Sequence, residues 1–113
     1  MNSYTPDRGD IVWINMNPPG HEQAGRRPAI VLSPFDYNKK VGFVLFCPIT
    51  NQIKGYPFEV GIPKGMKITG VILSDQVKSF DWRERQVEFV GKINESVIVE
   101  ASKKLNTLLR IAL

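Results

Sequence analysis

The sequence predicts a mainly β protein, a small and strongly curved antiparallel barrel packed by one C-terminal α-helix. Short apolar runs rich in Val, Ile and Phe recur between clusters of Pro, Gly and Asn, which is typical of strands in a compact β fold. Near the C-terminus the apolar spacing changes to a helical period. Strands and helices do not alternate, which argues against a parallel sheet. The length of 113 residues indicates one domain, spanning 1–113.

The individual elements follow from these periods. Six strands are predicted, at residues 11–16, 28–33, 43–49, 58–62, 70–73 and 86–93. The apolar face of the helix is predicted to hold Val97, Ala101, Leu105, Leu108, Leu109 and Ala112. Asn94 is the predicted N-cap, and Glu95 suits the first turn. A short helical turn is predicted at 35–38, started by Ser33 or Pro34.

The chain is basic. Fifteen Lys and Arg against eleven Asp and Glu give a net charge of +4, with a sequence pI of about 9.4. Such an excess favours polyanionic partners through counterion release, although a solvated basic surface fits it equally well.

The single cysteine and the absence of long apolar runs bear on the compartment. Cys47 lies in an apolar run, so a buried thiol is predicted and an intramolecular disulfide is excluded. Residues 1–9 are polar, and no later run approaches the length of a membrane span. We therefore expect no membrane association and a cytoplasmic protein.

Several kinds of site are disfavoured by residue type and spacing. One His and one Cys do not supply a usual zinc site, and we expect no metal and no cofactor. The glycines form no phosphate-binding P-loop. Ser33 and Ser74 lack the flanking glycines of a nucleophile elbow. Metal and acyl-enzyme chemistry are thus both unexpected.

A charged loop at residues 17–26 is the main candidate for function. It is broken by Pro18, Pro19, Gly20 and Gly25. Residues 20–28 combine one acid, one imidazole and two guanidiniums before a strand. Cleavage of RNA by its own 2′-hydroxyl needs a proton acceptor, a proton donor and positive charge beside the phosphate, but no metal. The planar fork of Arg27 suits the third role.

The same residues also allow a purely structural interpretation. Glu22 and Arg26 would then form a surface pair worth little. His21 would be a bystander in the loop, and Thr50 a β-branched residue at a strand end. From the residues alone, the loop is a candidate phosphate-binding site.

Several motifs, in order along the chain, resemble the MazF/PemK family of toxin endoribonucleases nearly end to end. They are PDRGD at 6–10 with Trp13, EQAGRRPA at 22–29, VLSPF at 31–35, PIT at 48–50, KGYPFEV at 54–60, DQVKS at 75–79 and WR at 82–83. Each motif is short, and their order and spacing carry the resemblance.

The resemblance implies a small SH3-like barrel that acts as a homodimer in a type II toxin-antitoxin system. It implies sequence-specific, metal-independent cleavage of single-stranded RNA, including mRNA, to 2′,3′-cyclic phosphate and 5′-hydroxyl ends, which inhibits translation and growth. Arg27 would stabilise the phosphorane charge and pass a proton, while the Thr50 hydroxyl would bind the scissile phosphate. Glu22 would assist proton transfer.

The resemblance also implies a set of RNA-binding residues and a partner. The RNA-binding residues would be His21, Gln23, Arg26, Asn51, Gln52, Lys54 and Gln76. Arg26 stands where close members often have His, so a proton-shuttling role does not transfer to it. Asn51 replaces a second Thr of some members, which leaves base contacts open. The implied partner is a cognate, acidic, MazE-like antitoxin whose disordered tail occupies the RNA groove.

Two other functions compete with this one. A gyrase-poisoning toxin of the CcdB family shares the fold, but its Trp-Gly-Ile ending is absent from residues 110–113. A non-catalytic SH3-like module would bind nucleic acid or peptide through Trp13, Tyr56, Phe80 and Trp82. For Trp13, packing in the core or the dimer interface is the expected role.

Overall fold

The computed structural model describes residues 4–17 and 25–110. Within these ranges the chain forms β1 (Asp10–Asn15), β2 (Arg26–Val31), α1 (Phe35–Val41), β3 (Phe43–Thr50), β4 (Glu59–Gly61), β5 (Val71–Leu73), β6 (Lys78–Asp81), β7 (Glu88–Lys92) and α2 (Glu95–Leu109). None of the helices in the described part of the chain is long and apolar enough to cross a membrane.

The strands form one antiparallel sheet in the order β4-β5-β3-β2-β1-β7, with β6 paired to β3 beside this path. β3 is the longest strand: it pairs with β6 along its first half, with β2 across its middle and with β5 at its end. No ladder joins the two ends of the order among the described strands. The predicted antiparallel architecture with a C-terminal helix is confirmed, and the sheet stays open instead of closing into a full barrel.

Two apolar cores lie on the two faces of this sheet, because alternate side chains of a strand point to opposite faces. One core joins Ile30 and Cys47 to Val97, Ile98 and Ala101 of α2. The other core lies across the sheet and consists of Val12, Ile14, Ala29, Val31, Val44, Phe46, Trp82 and Val87. Strands in the middle of the sheet are therefore buried on both faces.

Most predicted elements are confirmed, with three differences. β6 was missed because its sequence KSFD has no apolar run and its first two residues are exposed. α1 is longer than the predicted turn: it starts after Pro34 and ends at Val41, where the C-cap Gly42 has a left-handed φ of 84°. Leu108 and Leu109 were wrongly assigned to the buried helix face; they are 53% and 62% exposed, because the core under α2 ends at Ala101.

Two smaller predictions concern single side chains. Asn94 is the N-cap of α2, as predicted, although its side chain makes no capping hydrogen bond. Cys47 is fully buried, as predicted. Burial, with a smaller contribution from Asp75, raises the pKa of its thiol to about 12.

Three charged side chains and one tyrosine form a compact cluster where β1 begins. This N-terminal charge cluster consists of Tyr4, Asp7, Asp10 and Lys92. The Tyr4 hydroxyl donates to the carboxylate of Asp10, which is only 3% exposed. Lys92 Nζ lies 3.3 Å from Asp7 Oδ2 and 3.2 Å from Asp10 Oδ1. The cluster ties the residues before β1 to the end of β7.

Candidate active site

The far end of β1 and β2 opens onto a groove of about 910 Å³. Four cationic residues line it: Arg26, Arg27, Lys67 and Lys78. Among the described residues that line it, none is acidic. We call this cavity the basic groove. Its one-sided charge favours an anionic ligand such as a nucleic-acid backbone.

Arg27 of β2 and Thr50, at the end of the neighbouring strand β3, both line this groove. The β2–β3 ladder pairs Ala29 with Pro48. Continuing the same antiparallel register by two residues puts Arg27 level with Thr50, on the same face as that pair. Two residues 23 positions apart in the sequence are thus brought together by the strand register.

The two neighbouring arginines of β2 have different environments. Arg26 Nη2 lies 2.6 Å from Glu88 Oε1, and Arg26 Nη1 donates to the carbonyl oxygen of Gln86 at 3.0 Å. The exposed guanidinium of Arg27 has no hydrogen-bond or ion-pair partner in the ranges 4–17 and 25–110. Arg26 is therefore anchored to the β7 side, whereas Arg27 is available to bind an anion.

The Thr50 hydroxyl is held in a defined position. Its Oγ1 accepts a hydrogen bond from the backbone N–H of Gln52 at 3.1 Å, which leaves the hydroxyl hydrogen free to donate. Behind it, Gly70 has φ of 115°, and a Cβ there would collide with the carbonyl oxygen of Thr50. Only glycine allows β5 to approach this closely, so Gly70 fixes the backbone that carries Thr50.

The remaining predicted residues that the structure describes lie in or beside the groove. Asn51, Gln52 and Gln76 line it. Lys54 lies in an adjoining cavity of about 200 Å³, which Thr50, Gln52 and Gln76 also line. The structure therefore brings together the predicted RNA-binding residues from β2, from the end of β3 and from the segment after β5.

The segment after β3 is ordered by a carboxylate. The backbone N–H groups of Lys54 and Gly55 donate to Glu59 Oε2 and Oε1, at 2.8 and 2.9 Å. In the same small cavity the Tyr56 hydroxyl donates to Asp75 at 2.7 Å. This hydrogen bond, with burial and the Asp75 charge, raises the pKa of Tyr56 to about 12. The Tyr56–Asp75 hydrogen bond thus links the segment after β3 to the segment after β5.

Glu22, His21 and Gln23 lie outside the described residues. Hydrogen bonds hold the residues on both sides of this segment. The N–H of Met16 donates to the carbonyl oxygen of Gly25 at 2.7 Å. Arg85 Nη1 donates to the carbonyl oxygens of Met16 and Asn17, at 2.9 and 3.0 Å. Since Met16 lines the groove, the loop begins at its rim.

Three polar residues of the groove are not predicted from the sequence. They are Lys67, Thr69 and Lys78. Lys78 lies in the DQVKS motif, which was a usable signal, whereas Lys67 and Thr69 follow β4 in a segment without a recognisable pattern. Within the described ranges, no group of three or more His, Cys, Asp or Glu side chains could hold a metal ion.

The two tryptophans have different roles. Trp13 is half-buried, lines the groove and does not belong to the core, so the expected place in the dimer interface stays a prediction. Trp82 belongs to the second core, where its Nε1 donates to the carbonyl oxygen of Asn38 at 2.8 Å. A binding platform made of all the candidate aromatic residues is therefore not formed.

Comparison with known proteins decides the family. Residues 7–109 match the family described as PemK-like, MazF-like toxin of type II toxin-antitoxin system. The chain belongs to this toxin family. The match favours a MazF/PemK toxin over the gyrase-poisoning and non-catalytic alternatives.

Two MazF proteins of this family are similar to the chain over nearly their whole length. Endoribonuclease toxin MazF of Escherichia coli (strain K12) is 46% identical over 110 residues, which cover 96% of this chain and 98% of that protein. A crystal structure of MazF from Deinococcus radiodurans is 47% identical with a TM-score of 0.87, covering 95% and 98% of the two chains. A MazE-MazF crystal structure from the same organism is 42% identical, also with a TM-score of 0.87, covering 97% and 100%.

Proposed function

We propose that this toxin is an endoribonuclease that cuts single-stranded RNA at short sequences and thereby stops translation and growth. Its substrate would be mRNA in the cytoplasm, and residues 1–113 would act as one catalytic domain. One observation carries the proposal: Arg27, without a partner among the described residues, and Thr50 line the same groove, which is also lined by cations. Its E. coli relative is named an endoribonuclease.

The proposed reaction needs no metal, because side chains supply the charge and the hydrogen bonds. The ribose 2′-oxygen attacks the neighbouring phosphorus, and the 5′-oxygen leaves. Arg27 stabilises the negative charge of the phosphorane, and the Thr50 hydroxyl donates to a non-bridging oxygen. The products are a 2′,3′-cyclic phosphate and a 5′-hydroxyl.

Two protons must move in this reaction. We propose that Glu22 accepts the proton of the 2′-hydroxyl and that Arg27 passes a proton to the leaving oxygen. The RNA strand would be held by His21, Gln23, Arg26, Asn51, Gln52, Lys54 and Gln76. A Glu22→Gln variant tests the first role. Its pH-rate profile should lose the fall in cleavage rate at low pH that protonation of the base causes. An unchanged fall would exclude Glu22 as the proton acceptor.

The decisive experiment maps the ends of the cut RNA. The purified protein is incubated with a mixed RNA in excess EDTA, and both ends of each fragment are identified. Discrete cuts with cyclic-phosphate and 5′-hydroxyl ends are expected. Intact RNA would overturn the proposal, and cleavage that EDTA abolishes would overturn metal independence.

We also propose an acidic, MazE-like antitoxin as the partner. The Deinococcus radiodurans MazF was crystallised with MazE, and here the basic groove has no acidic lining among the described residues. An acidic tail would therefore compete with RNA for Arg27 and the groove lysines. An acidic peptide should inhibit cleavage competitively and less strongly at high salt; noncompetitive inhibition would place its site elsewhere.

An exposed apolar surface supports the proposed homodimer. Large apolar side chains along α1 and the start of β3 are exposed by 38–51%: Phe35, Tyr37, Val41, Phe43 and Leu45. Several large apolar side chains exposed on two consecutive elements are typical of an interface, and we propose a second copy as the occupant. Leu45→Glu should convert the dimer to a monomer in sedimentation experiments. A Leu45→Glu protein that remains dimeric would exclude this face as the dimer interface.

A further inference from the structure

Thr69, at the end of the β4–β5 connection, contacts the residue next to Thr50. Its Oγ1 donates a hydrogen bond to Oδ1 of Asn51, 3.0 Å away. Both side chains belong to residues that line the basic groove. The hydrogen bond therefore links the β4–β5 connection to the position beside the proposed phosphate-binding hydroxyl.

The position of Asn51 is restrained on two further sides. Its carbonyl oxygen accepts a hydrogen bond from the N–H of Ile53 at 3.1 Å. Gly70 packs so closely that a Cβ there would lie 3.0 Å from Asn51 Oδ1. The side-chain oxygen Oδ1 of Asn51 thus lies between the Thr69 hydroxyl and the Gly70 backbone.

The fixed oxygen decides which end of the carboxamide is free. A carboxamide has an acceptor oxygen at one end and an NH₂ group with two donors at the other. Asn51 Nδ2 has no hydrogen-bond partner in the described part of the chain, and Asn51 is exposed. With its oxygen bound to Thr69, Asn51 presents only donors to a ligand in the groove.

We propose that Thr69 is a positioning residue that orients the Asn51 carboxamide, so that Asn51 Nδ2 recognises a hydrogen-bond acceptor on the base beside the cut. The inference rests on the proposed ribonuclease activity and adds a determinant of its sequence specificity. Single-stranded RNA is recognised through the exposed edges of its bases. A base that presents an amino donor to Asn51 Nδ2 would leave two donors facing each other without an acceptor, which disfavours that base.

The test compares cleavage preferences in an RNA library with randomised bases around the cut. Cut ends are sequenced for the wild type, Thr69→Val, Thr69→Ser, Asn51→Asp and Thr107→Val. Thr69→Val keeps the shape but removes the donor, and its preference at one nucleotide position should fall about 3- to 10-fold, the effect of one hydrogen bond. Thr69→Ser should keep the preference. Thr107 is the matched control, since its hydroxyl bonds within α2, to the Lys104 carbonyl.

The Asn51→Asp variant tests the orientation itself. Its carboxylate still accepts from Thr69 but replaces the free donor by an acceptor. The preferred base at the same position should therefore change to one that presents an amino group. An unchanged preference in Asn51→Asp would mean that the oxygen, not the nitrogen, contacts the base, and would overturn the inference.

Other outcomes separate this inference from the proposed function. An unchanged Thr69→Val profile, an equal loss at all positions, or Thr69→Ser behaving like Thr69→Val would overturn the role of Thr69. A wild type that cuts no RNA would refute the ribonuclease proposal. In that case, selection of bound sequences from a 2′-O-methyl library still tests Thr69, because binding needs no cleavage. Thermal unfolding confirms that each variant is folded.

Discussion

β1 has a cluster of charges at each end, and the two clusters differ in how the charges are paired. At its start, Lys92 lies between Asp7 and the buried Asp10. Near its other end, the guanidinium of Arg27 has no partner in the described ranges, and the described groove lining has no carboxylate. Charges that pair within the fold contribute to stability, whereas charges left unpaired are available for a ligand. The comparison predicts that substitutions at the two ends affect different properties.

The largest expected effect is on activity, from Arg27→Ala. Loss of the guanidinium should lower kcat/KM for RNA cleavage by about 10²- to 10³-fold, as expected for a preorganised donor to a developing oxyanion. The free energy of unfolding should be nearly unchanged, because no described group pairs with Arg27. Single-turnover cleavage and urea unfolding measure the two properties.

A matched control for Arg27→Ala is Arg110→Ala, which removes the same charge at the end of α2, outside the groove. It should cut RNA like the wild type. If both variants lost activity equally, overall charge and not the Arg27 position would govern cleavage.

The next largest effect is expected from Gly70→Ala. The new methyl group would collide with the Thr50 carbonyl, and the φ of 115° disfavours any other residue. The free energy of unfolding should fall by about 1–3 kcal/mol, and cleavage should fall as Thr50 moves. Gly55→Ala is the control: its φ is also positive, but a Cβ there meets no atom within 4 Å. Equal loss of activity in both variants would exclude a specific role for the Gly70–Thr50 contact.

At the opposite end of β1, Lys92→Met should affect stability alone. The substitution leaves the Asp10 carboxylate, 3% exposed, without its cation. A loss of about 1–2 kcal/mol in the free energy of unfolding is expected, the cost of a charged hydrogen bond at a partly exposed site. RNA cleavage at equal folded concentration should be unchanged. A fall in cleavage by the folded variant would show that the two ends are coupled.

A smaller effect is expected in the pH dependence of stability. Burial alone would raise the pKa of Asp7, but the N–H groups of Phe35 and Arg8 and the Lys92 ammonium together hold it below its ordinary value. Burial would lower the pKa of Lys92, but hydrogen bonds and charges from Asp10 and Asp7 raise it.

The sign of each contribution follows from these directions. The stabilisation from Asp7 is present above about pH 4 and is lost as the pH falls through its lowered pKa. The stabilisation from Lys92 is present below about pH 10 and is lost as the pH rises through its raised pKa. Urea unfolding as a function of pH should show a weaker decline below pH 4 in Asp7→Asn. An identical decline of stability in Asp7→Asn and the wild type would exclude Asp7 as a source of this pH dependence.

The smallest effect is expected for the ion pair of Arg26. Glu88 is 68% exposed in this pair, so Glu88→Gln should change the free energy of unfolding by less than about 1 kcal/mol. The variant should still cut RNA. The salt dependence of its RNA binding should increase, because the freed Arg26 adds charge to the groove lining. An unchanged salt dependence would show that Arg26 stays away from the RNA.

The sequence predicted the periodic elements well, because buried strands and the helix carry a clear apolar pattern. It missed β6, which pairs with β3 and packs Phe80 against Phe46 but carries no run of apolar residues. Arg27 and Thr50 were predicted through family motifs. Their alignment across the sheet depends on strand register, which local sequence does not specify. The same holds for Gly70, whose close approach to Thr50 appears only in three dimensions.

Cys47 has a practical consequence for studying this toxin. Its thiol is fully buried in the core under α2, and its pKa is about 12. A thiol reagent should therefore react only when the sheet and α2 separate. The single cysteine, three residues before Thr50, is a natural label for timing how often the protein opens.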